Sequence, residues 1–87
     1  MNYAERMETK LRDTFSPSHL EIIDQSEDHI GHGGYREGGQ THFKVVIKAK
    51  YFNGLTRVSQ QRAVMTLLKP EMDERVHALA LDVSGDS

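Results

Sequence analysis

The chain contains no cysteine among its 87 residues. Its fold therefore includes no disulfide bond, and a metal site that depends on cysteine ligands cannot be completed by this chain alone. Long apolar runs are also missing, since none approaches the ~20 residues that span a bilayer. The N-terminal residues have no signal-peptide core, and their acidic side chains argue against a transit peptide. We therefore expect a cytoplasmic protein that does not associate with membranes.

An excess of positive charge is missing as well. The 11 Lys and Arg residues are outnumbered by 13 Asp and Glu residues, which gives a formal net charge of −2. A dedicated nucleic-acid binder usually carries a basic excess, so only a local basic patch could bind nucleic acid here. The length and the apolar fraction of 37% are typical of one small globular domain. We place this domain at residues 1–83 and expect a polar C-terminal tail at residues 84–87.

The sequence signatures of several enzyme classes are absent. The chain has no Gly-x-Ser-x-Gly motif, no Walker loop and no dinucleotide-binding fingerprint. Acid–base catalysis requires a pocket, and a chain of this length has little room for one. We therefore predict that the protein is not an enzyme.

Residues 41–50 are the most regular part of the sequence. Their side chains alternate with a period of two, which predicts a strand with one apolar face and one largely charged face. The apolar face comprises Phe43, Val45, Ile47 and Ala49, and the other comprises Lys44, Val46, Lys48 and Lys50. We interpret this segment as the central strand of an antiparallel sheet that is covered by helices on one face.

One helix is predicted before the central strand in the chain, and another is predicted after it. Apolar residues at helical spacing predict a first helix at residues 2–15, which ends before a proline. Thr56 is the expected N-cap of a second helix that continues to Leu68. Pro70 is expected to end this helix and to begin a separate one-turn helix that reaches Asp73.

Two further strands complete the predicted fold. We expect a short strand at residues 20–26 and a third strand at residues 76–83, in which His77 shares the helix-packed face. The resulting order of elements is αββαβ. A three-stranded sheet with helices on one face is a small α+β two-layer sandwich.

Three histidines are candidate metal ligands. His29 and His32 lie in residues 27–40, a predicted loop that holds five of the chain's seven glycines, and His77 opens the third strand. Loops of more than about 12 residues in compact domains are usually functional or disordered. Imidazole is a ligand suited to zinc, copper and iron. The alternative is that the loop histidines are merely solvated and that His77 is a half-buried ring that bonds a neighbouring carbonyl.

Basic and amide side chains near the second helix indicate a second possible function. A helix that is entered through a short turn is typical of several nucleic-acid-binding modules. Two arginines could contact phosphates, two glutamines could reach bases, and three lysines of the central strand could extend the patch. These residues are Arg57, Arg62, Gln60, Gln61, Lys44, Lys48 and Lys50. The alternative is a solvated polar face, which the acidic balance of the chain favours.

Four ordered segments resemble the BolA family. They contain Leu20-Glu-Ile-Ile-Asp-Gln-Ser, Thr41-His-Phe-Lys-Val-Val-Ile, Phe52-Asn-Gly-Leu-Thr-Arg-Val-Ser-Gln-Gln-Arg and Val76-His-Ala-Leu-Ala-Leu. The resemblance extends over nearly all of residues 4–83. It implies a KH-like (class II) α+β fold, which matches the order of elements predicted above. The Gly-x-x-Gly clamp of KH domains is absent because only Gly54 precedes the second helix, which argues against RNA binding of the KH type.

The resemblance also implies a partner and a cofactor. Members of the family bind monothiol glutaredoxins of the CGFS type, and each pair can share a bridged [2Fe–2S] cluster. By resemblance, one histidine ligand corresponds to His77 and the other to His29 or His32, while the glutaredoxin and glutathione supply sulfur ligands. The family's histidine-containing run in the second helix is replaced here by Gln61-Arg62-Ala63.

Three functional hypotheses follow from the sequence. In the first, the protein is a non-enzymatic adaptor that holds or transfers a [2Fe–2S] cluster together with a glutaredoxin. In the second, it is a DNA-binding regulator that uses the helix from Thr56 to Leu68. In the third, it is a protein-interaction module without metal. In each case we expect a monomer or a weak homodimer.

Overall fold

A computed structural model describes residues 2–25 and 42–86 of the chain. The elements in chain order are α1 (Tyr3–Phe15), β1 (His19–Asp24), β2 (His42–Lys48), α2 (Arg57–Glu74) and β3 (Ala78–Ser84). A short 3₁₀ helix over Lys50–Phe52 lies between β2 and α2. The predicted α+β architecture, with two helices and a three-stranded sheet, is confirmed.

The sheet has β2 at its centre, as predicted, but it is mixed rather than antiparallel. β1 pairs with β2 in antiparallel register, with Leu20 opposite Ile47. β2 pairs with β3 in parallel register, with His42 opposite Ala78. The expectation of an antiparallel sheet was wrong because α2 is a crossover connection, which returns the chain to the end of the sheet where β2 begins.

The core lies between the sheet and the two helices. The apolar residues of β2 at alternate positions are buried, and they pack against the apolar faces of α1 and α2. These core residues are Phe43, Val45 and Ile47 of β2, Met7, Leu11 and Phe15 of α1, and Val64 and Leu68 of α2. The other side chains of β2 point away from the helices. We call this side of the sheet the open face.

The ends of α1 are fixed by local hydrogen bonds. Asn2 is the N-cap, and its side chain accepts a hydrogen bond of 2.8 Å from the backbone N–H of Glu5. Ser16 at the other end has a left-handed backbone conformation with φ of 47°, and its N–H donates to the carbonyl of Arg12. The helix therefore ends at Phe15, before Pro17, as the sequence predicts.

The second helix is longer than predicted. Thr56 is the N-cap, as expected, and accepts a hydrogen bond of 3.1 Å from the N–H of Ser59. The helix then continues through Pro70, so the separate one-turn helix does not exist. Pro70 has no N–H, so the carbonyl of Thr66 receives no helical hydrogen bond, but Thr66 is exposed. The buried residues Leu68 and Glu71, on either side of Pro70, hold the helix against the core. Neither helix in the described ranges is long and apolar enough to cross a membrane.

Four charged residues join the two helices. Glu71 is fully buried and accepts hydrogen bonds from Arg6, at 2.9 Å, and from Lys10, at 2.8 Å. Arg6 also donates two hydrogen bonds to Glu74, and these bonds lower the pKa of the Glu74 carboxyl below its usual value. We call these four residues the interhelical ion cluster. It was not predicted from the sequence, because its ion pairs join residues that are 61 or more positions apart in the chain.

The C-terminal end is held more firmly than the sequence suggested. We expected residues 84–87 to form a polar tail, but Ser84 belongs to β3. The side-chain carbonyl of Asn53 accepts a hydrogen bond of 2.7 Å from the N–H of Asp86. A Cβ atom at Gly85 would collide with that same oxygen of Asn53, so glycine permits the close approach. These contacts attach the end of β3 to the turn that precedes α2.

Candidate functional site

His77 lies just outside the sheet and is exposed. We expected it within β3 and on the helix-packed face, but β3 begins at Ala78. The difference arises at the end of α2, where Val76 is buried and its N–H donates a hydrogen bond of 2.9 Å to the carbonyl of Glu71. The chain therefore remains attached to the helix end at Val76, and the exposed ring of His77 precedes the first residue that pairs with β2.

The ring of His77 lies beside the ring of His42. Their centroids are 5.8 Å apart, and the two planes are tilted by 54°. His42 is the first residue of β2 and is buried. The parallel pairing of β2 with β3 brings the two residues to the same end of the sheet, since His42 is opposite Ala78. From the sequence, His42 was noted only as part of the Thr-His-Phe segment, and a correct parallel topology would have revealed this neighbour.

The other two candidate ligands, His29 and His32, lie outside the described residues. The segment that contains them joins Gln25, which follows β1, to His42, which begins β2. The N–H of Gln25 donates a hydrogen bond of 2.8 Å to the carbonyl of His42. Both ends of this segment are therefore attached at the end of the sheet that carries His77. We call Gln25, His42 and His77 the histidine edge.

The histidine edge contains two imidazole rings, of which that of His77 is exposed and that of His42 is buried. A neutral imidazole is a ligand for zinc, copper and iron, and one exposed ring can be reached by a partner or a cofactor at the protein surface. Over residues 2–25 and 42–86, no group of three or more histidine or acidic side chains is arranged to hold an ion. Any metal centre at this edge would therefore need ligands from outside the described residues.

The basic residues do not form the single patch that the sequence suggested. Lys44 and Lys48 occupy alternate positions of β2 on the open face, away from the helices. Arg57 and Arg62 are exposed on α2, which packs against the opposite face of the sheet. The structure therefore separates these four cations into two surfaces, one on each side of the sheet.

One of the two glutamines predicted to reach bases has a structural role instead. The side-chain amide of Gln60 donates hydrogen bonds to the carbonyls of Phe52 and Leu55, at 3.1 and 3.3 Å. These bonds hold the turn that leads into α2. Gln61, by contrast, is exposed. Only Gln61 therefore retains a side chain that is directed to solvent.

Comparisons with known sequences were consistent with one another. A family model described as BolA-like protein matches residues 11–86. A Sinorhizobium sp protein, described as an uncharacterized protein in the cobS 5′ region, is 42% identical over 83 residues, which make up 94% of this chain and 89% of that protein. The DNA-binding transcriptional regulator BolA of Escherichia coli (strain K12) is 38% identical over 81 residues, or 93% of this chain and 73% of the regulator.

A comparison with solved structures agrees with the sequence matches. The structure of BolA1 from Arabidopsis thaliana superposes with a TM-score of 0.85 at 34% identity, and the match covers 98% of this chain and 93% of that chain. The chloroplastic BOLA1 protein of the same plant is 42% identical over 82 residues. These residues are 92% of this chain but 51% of the plant protein, so the chain spans about half of that relative.

Proposed function

The chain belongs to the BolA-like family, and on this basis we propose that it is a non-enzymatic adaptor for a monothiol glutaredoxin of the CGFS type. In this proposal the two proteins share a [2Fe–2S] cluster, with glutathione as a further sulfur ligand. The complex then transfers the cluster in iron–sulfur maturation or in iron regulation. The observation that carries the proposal is the exposed imidazole of His77 at the histidine edge.

The position of His77 suits a ligand that is shared between two proteins. Its backbone lies between buried Val76 and the first residue of β3, so the position of its Cα atom is fixed by the fold before any partner binds. Its side chain is nevertheless open to solvent. A cluster held by this ring would lie at a protein–protein surface, where a glutaredoxin thiolate can reach it. Ligation by histidine in place of cysteine gives such a cluster a higher reduction potential.

The second ligand from this chain is proposed to be His29 or His32. Both belong to the segment whose two ends are attached at Gln25 and His42. The attachment of both ends at the histidine edge supports a ligand from this segment as the partner of His77.

Visible circular dichroism tests this proposal. The chain is mixed with a monothiol glutaredoxin that carries its [2Fe–2S] cluster, and the spectrum is recorded as the chain is added. We expect a new spectrum with the wild-type chain, because exchange of a sulfur ligand for imidazole changes the asymmetry around the iron atoms. This spectrum should be lost in His77→Ala and in one of the variants His29→Ala and His32→Ala.

His19→Ala is the matched control for these variants. His19 is also an exposed histidine, but it lies at the start of β1, at the end of the strand away from Gln25, and its Nε2 is 3.6 Å from a carboxylate oxygen of Glu21. Its loss should leave the new spectrum unchanged. If the glutaredoxin cluster keeps its original spectrum when the wild-type chain is added in excess, the proposal of a shared cluster is wrong.

The alternative function, DNA binding by α2, is supported by the unpaired cations and by the similarity to the DNA-binding transcriptional regulator of Escherichia coli. Among the described residues, no ion pair involves Lys50, Arg57 or Arg62. Arg57 and Arg62 are exposed on the same helix as Gln61. These side chains could bind phosphates on the helix side of the sheet, without a contribution from Lys44 and Lys48.

Salt-dependent DNA binding distinguishes this alternative from the cluster proposal. If α2 binds DNA, the double variant Arg57→Ala/Arg62→Ala should bind more weakly than the wild type. The slope of the logarithm of its binding constant against the logarithm of the salt concentration should become less steep by about 0.9 for each phosphate that the variant no longer neutralises. Lys69→Ala is the control, because Lys69 pairs with Asp73 near the other end of the helix. His77→Ala should leave DNA affinity unchanged. Equal affinity of the double variant and the wild type would exclude binding by α2.

A further inference from the structure

The separation of the His42 and His77 rings suits a shared metal ion. Their centroids are 5.8 Å apart. In a tetrahedral zinc site with Zn–N bonds of about 2.0–2.1 Å, each ring centroid lies about 3.2 Å from the ion, so two centroids are about 5.2 Å apart. The observed separation exceeds this value by a few tenths of an ångström. An ion would therefore bind both rings only after the exposed His77 ring moves closer by about this amount.

The backbones of both residues are already held in place. The carbonyl of His42 accepts a hydrogen bond of 2.8 Å from Gln25, and His42 lies opposite Ala78 across the parallel pair of strands. His77 is fixed between Ala78 and buried Val76. A metal ion therefore needs to order only one exposed side chain, which keeps the entropic cost of binding small.

The chemistry of the two donors favours a borderline divalent ion. Imidazole nitrogen binds Zn²⁺ and Cu²⁺ well, whereas Mg²⁺ and Ca²⁺ prefer oxygen ligands. Within the described part of the chain, no third histidine or acidic side chain lies close enough to the two rings to complete a group of three ligands. Two imidazole donors alone give a lower affinity than the four protein ligands of a structural zinc site.

We propose that His42 and His77 bind a single divalent transition-metal ion of the zinc class in this chain alone. The site requires neither a glutaredoxin nor a cluster, so the inference goes beyond the proposed function and does not depend on it. If both proposals hold, the zinc ion and the [2Fe–2S] cluster would compete for His77. Occupation by Zn²⁺ would then reduce the fraction of the chain that can share a cluster.

Calorimetric titration of the purified chain with Zn²⁺ provides the first test. Loss of a residue that only hydrogen-bonds a metal ligand lowers metal affinity about 10–100-fold. Removal of either ring, which is itself a proposed ligand, should therefore lower the Zn²⁺ affinity at least about tenfold. We expect this loss in His77→Ala and in His42→Gln. Unchanged Zn²⁺ affinity in either variant would overturn the proposal.

Nuclear magnetic resonance of the wild-type imidazoles provides a test that needs no substitution. This test is required because His42 is buried, and a change at a buried residue can impair folding. Addition of Zn²⁺ should shift the ring-nitrogen signals of both His42 and His77, at the same ion concentration. If the His42 signals do not move while the ion binds, the site does not include this ring and the proposal is wrong.

Two control variants exclude the other histidines. His19→Ala removes an exposed ring on β1, and His29→Ala/His32→Ala removes both histidines from the segment outside the described residues. His19→Ala should bind Zn²⁺ as the wild type does, and the double variant, which lacks the proposed cluster ligands of that segment, should still bind the ion through His42 and His77. Loss of binding in the double variant would show that the ion depends on that segment, which contradicts a site formed by His42 and His77. Since no glutaredoxin is present, none of these results bears on the shared-cluster proposal.

Discussion

The interhelical ion cluster and the histidine edge place polar side chains in opposite situations. In the ion cluster, Glu71 is fully buried, and each of its two carboxylate oxygens accepts a hydrogen bond from a cation of α1. At the histidine edge, His77 is exposed, and its neighbour His42 is the ring 5.8 Å away. The first region satisfies its charges within the fold, and the second leaves an imidazole open to solvent.

This difference separates residues that stabilise the fold from residues that can bind. A buried charge must keep its partners, because a charge that is left alone in the interior is strongly destabilising. An exposed ring carries no such requirement, so it can exchange water for a metal or a partner at little cost to stability. Substitutions should therefore affect stability in the ion cluster and binding at the histidine edge.

The largest loss of stability is expected for a substitution that breaks the buried part of the ion cluster. Glu71→Ala leaves Arg6 and Lys10 without their shared carboxylate at the interface between the helices. Removal of one partner from a buried ion pair costs about 3–5 kcal/mol when the charge left behind is buried. Arg6 and Lys10 keep about a third of their side-chain surface exposed, so the loss should lie near the lower end of this range, which is still a large part of the about 5–15 kcal/mol that stabilises a typical domain. Chemical denaturation at neutral pH measures this loss.

Glu8→Ala is the control for the buried glutamate. Glu8 also pairs with an arginine of α1, Arg12 at 3.2 Å, but both side chains are about half exposed. Surface pairs of this kind contribute about 0–1 kcal/mol. Equal losses of stability in Glu71→Ala and Glu8→Ala would show that burial does not set the importance of the ion cluster.

An intermediate loss of stability is expected at the start of α2. Thr56 is exposed, but its side chain accepts the hydrogen bond from Ser59 that caps the helix. Thr56→Ala should lower the free energy of unfolding by about 1 kcal/mol. Thr66→Ala is the matched control, because Thr66 is exposed inside the same helix and makes no cap, so its substitution should be neutral or slightly stabilising.

A smaller, pH-dependent effect is expected at the exposed side of the ion cluster. Hydrogen bonds from Arg6 lower the pKa of Glu74 in the folded state below the ordinary value of 4.5. A carboxyl with a lowered pKa stabilises the fold above its unfolded pKa, and this stabilisation is lost as the pH falls through the folded pKa. The wild type should therefore be more stable than Glu74→Gln at about pH 7, and the difference should decline below about pH 4.5. Thermal unfolding at several pH values measures the difference, and a constant gap down to about pH 3 would contradict the assignment.

The smallest effect on stability is expected for His77→Ala. Its ring is exposed, and surface substitutions usually change stability by no more than about 0.5 kcal/mol. The same variant should lose the shared-cluster spectrum. Denaturation and cluster reconstitution with one preparation compare both properties. A loss of stability as large as that of Glu71→Ala would make His77 a structural residue and remove the contrast between the two regions.

Much of the fold was predictable because local periodicity reflects the core directly. The alternation of residues 41–50 placed Phe43, Val45 and Ile47 on the buried face, and the spacing in α1 predicted its apolar stripe. The direction of β3 was not predictable from alternation, since a strand has the same period in parallel and antiparallel sheets. The length of α2 was missed because tertiary contacts on both sides of Pro70 outweigh its local effect.

The candidate site was predicted only in part because it depends on contacts between distant residues. His77 was a candidate ligand from the sequence itself and from the family resemblance, but its exposure follows from the hydrogen bond between Val76 and Glu71, which no sequence period reveals. The neighbouring ring of His42 requires the parallel pairing of β2 with β3. His29 and His32 lie outside the described residues and remain predictions.

The most direct test of the proposed function is to ask whether a histidine nitrogen of this chain binds the cluster iron. The chain is labelled with ¹⁵N-histidine, combined with an unlabelled glutaredoxin that carries a [2Fe–2S] cluster, and reduced for pulsed electron paramagnetic resonance. We predict a strong hyperfine coupling to ¹⁵N in the wild type and in His19→Ala, and its reduction in His77→Ala. A cluster with no strongly coupled ¹⁵N in the wild-type complex would contradict the claim that the histidine edge binds iron.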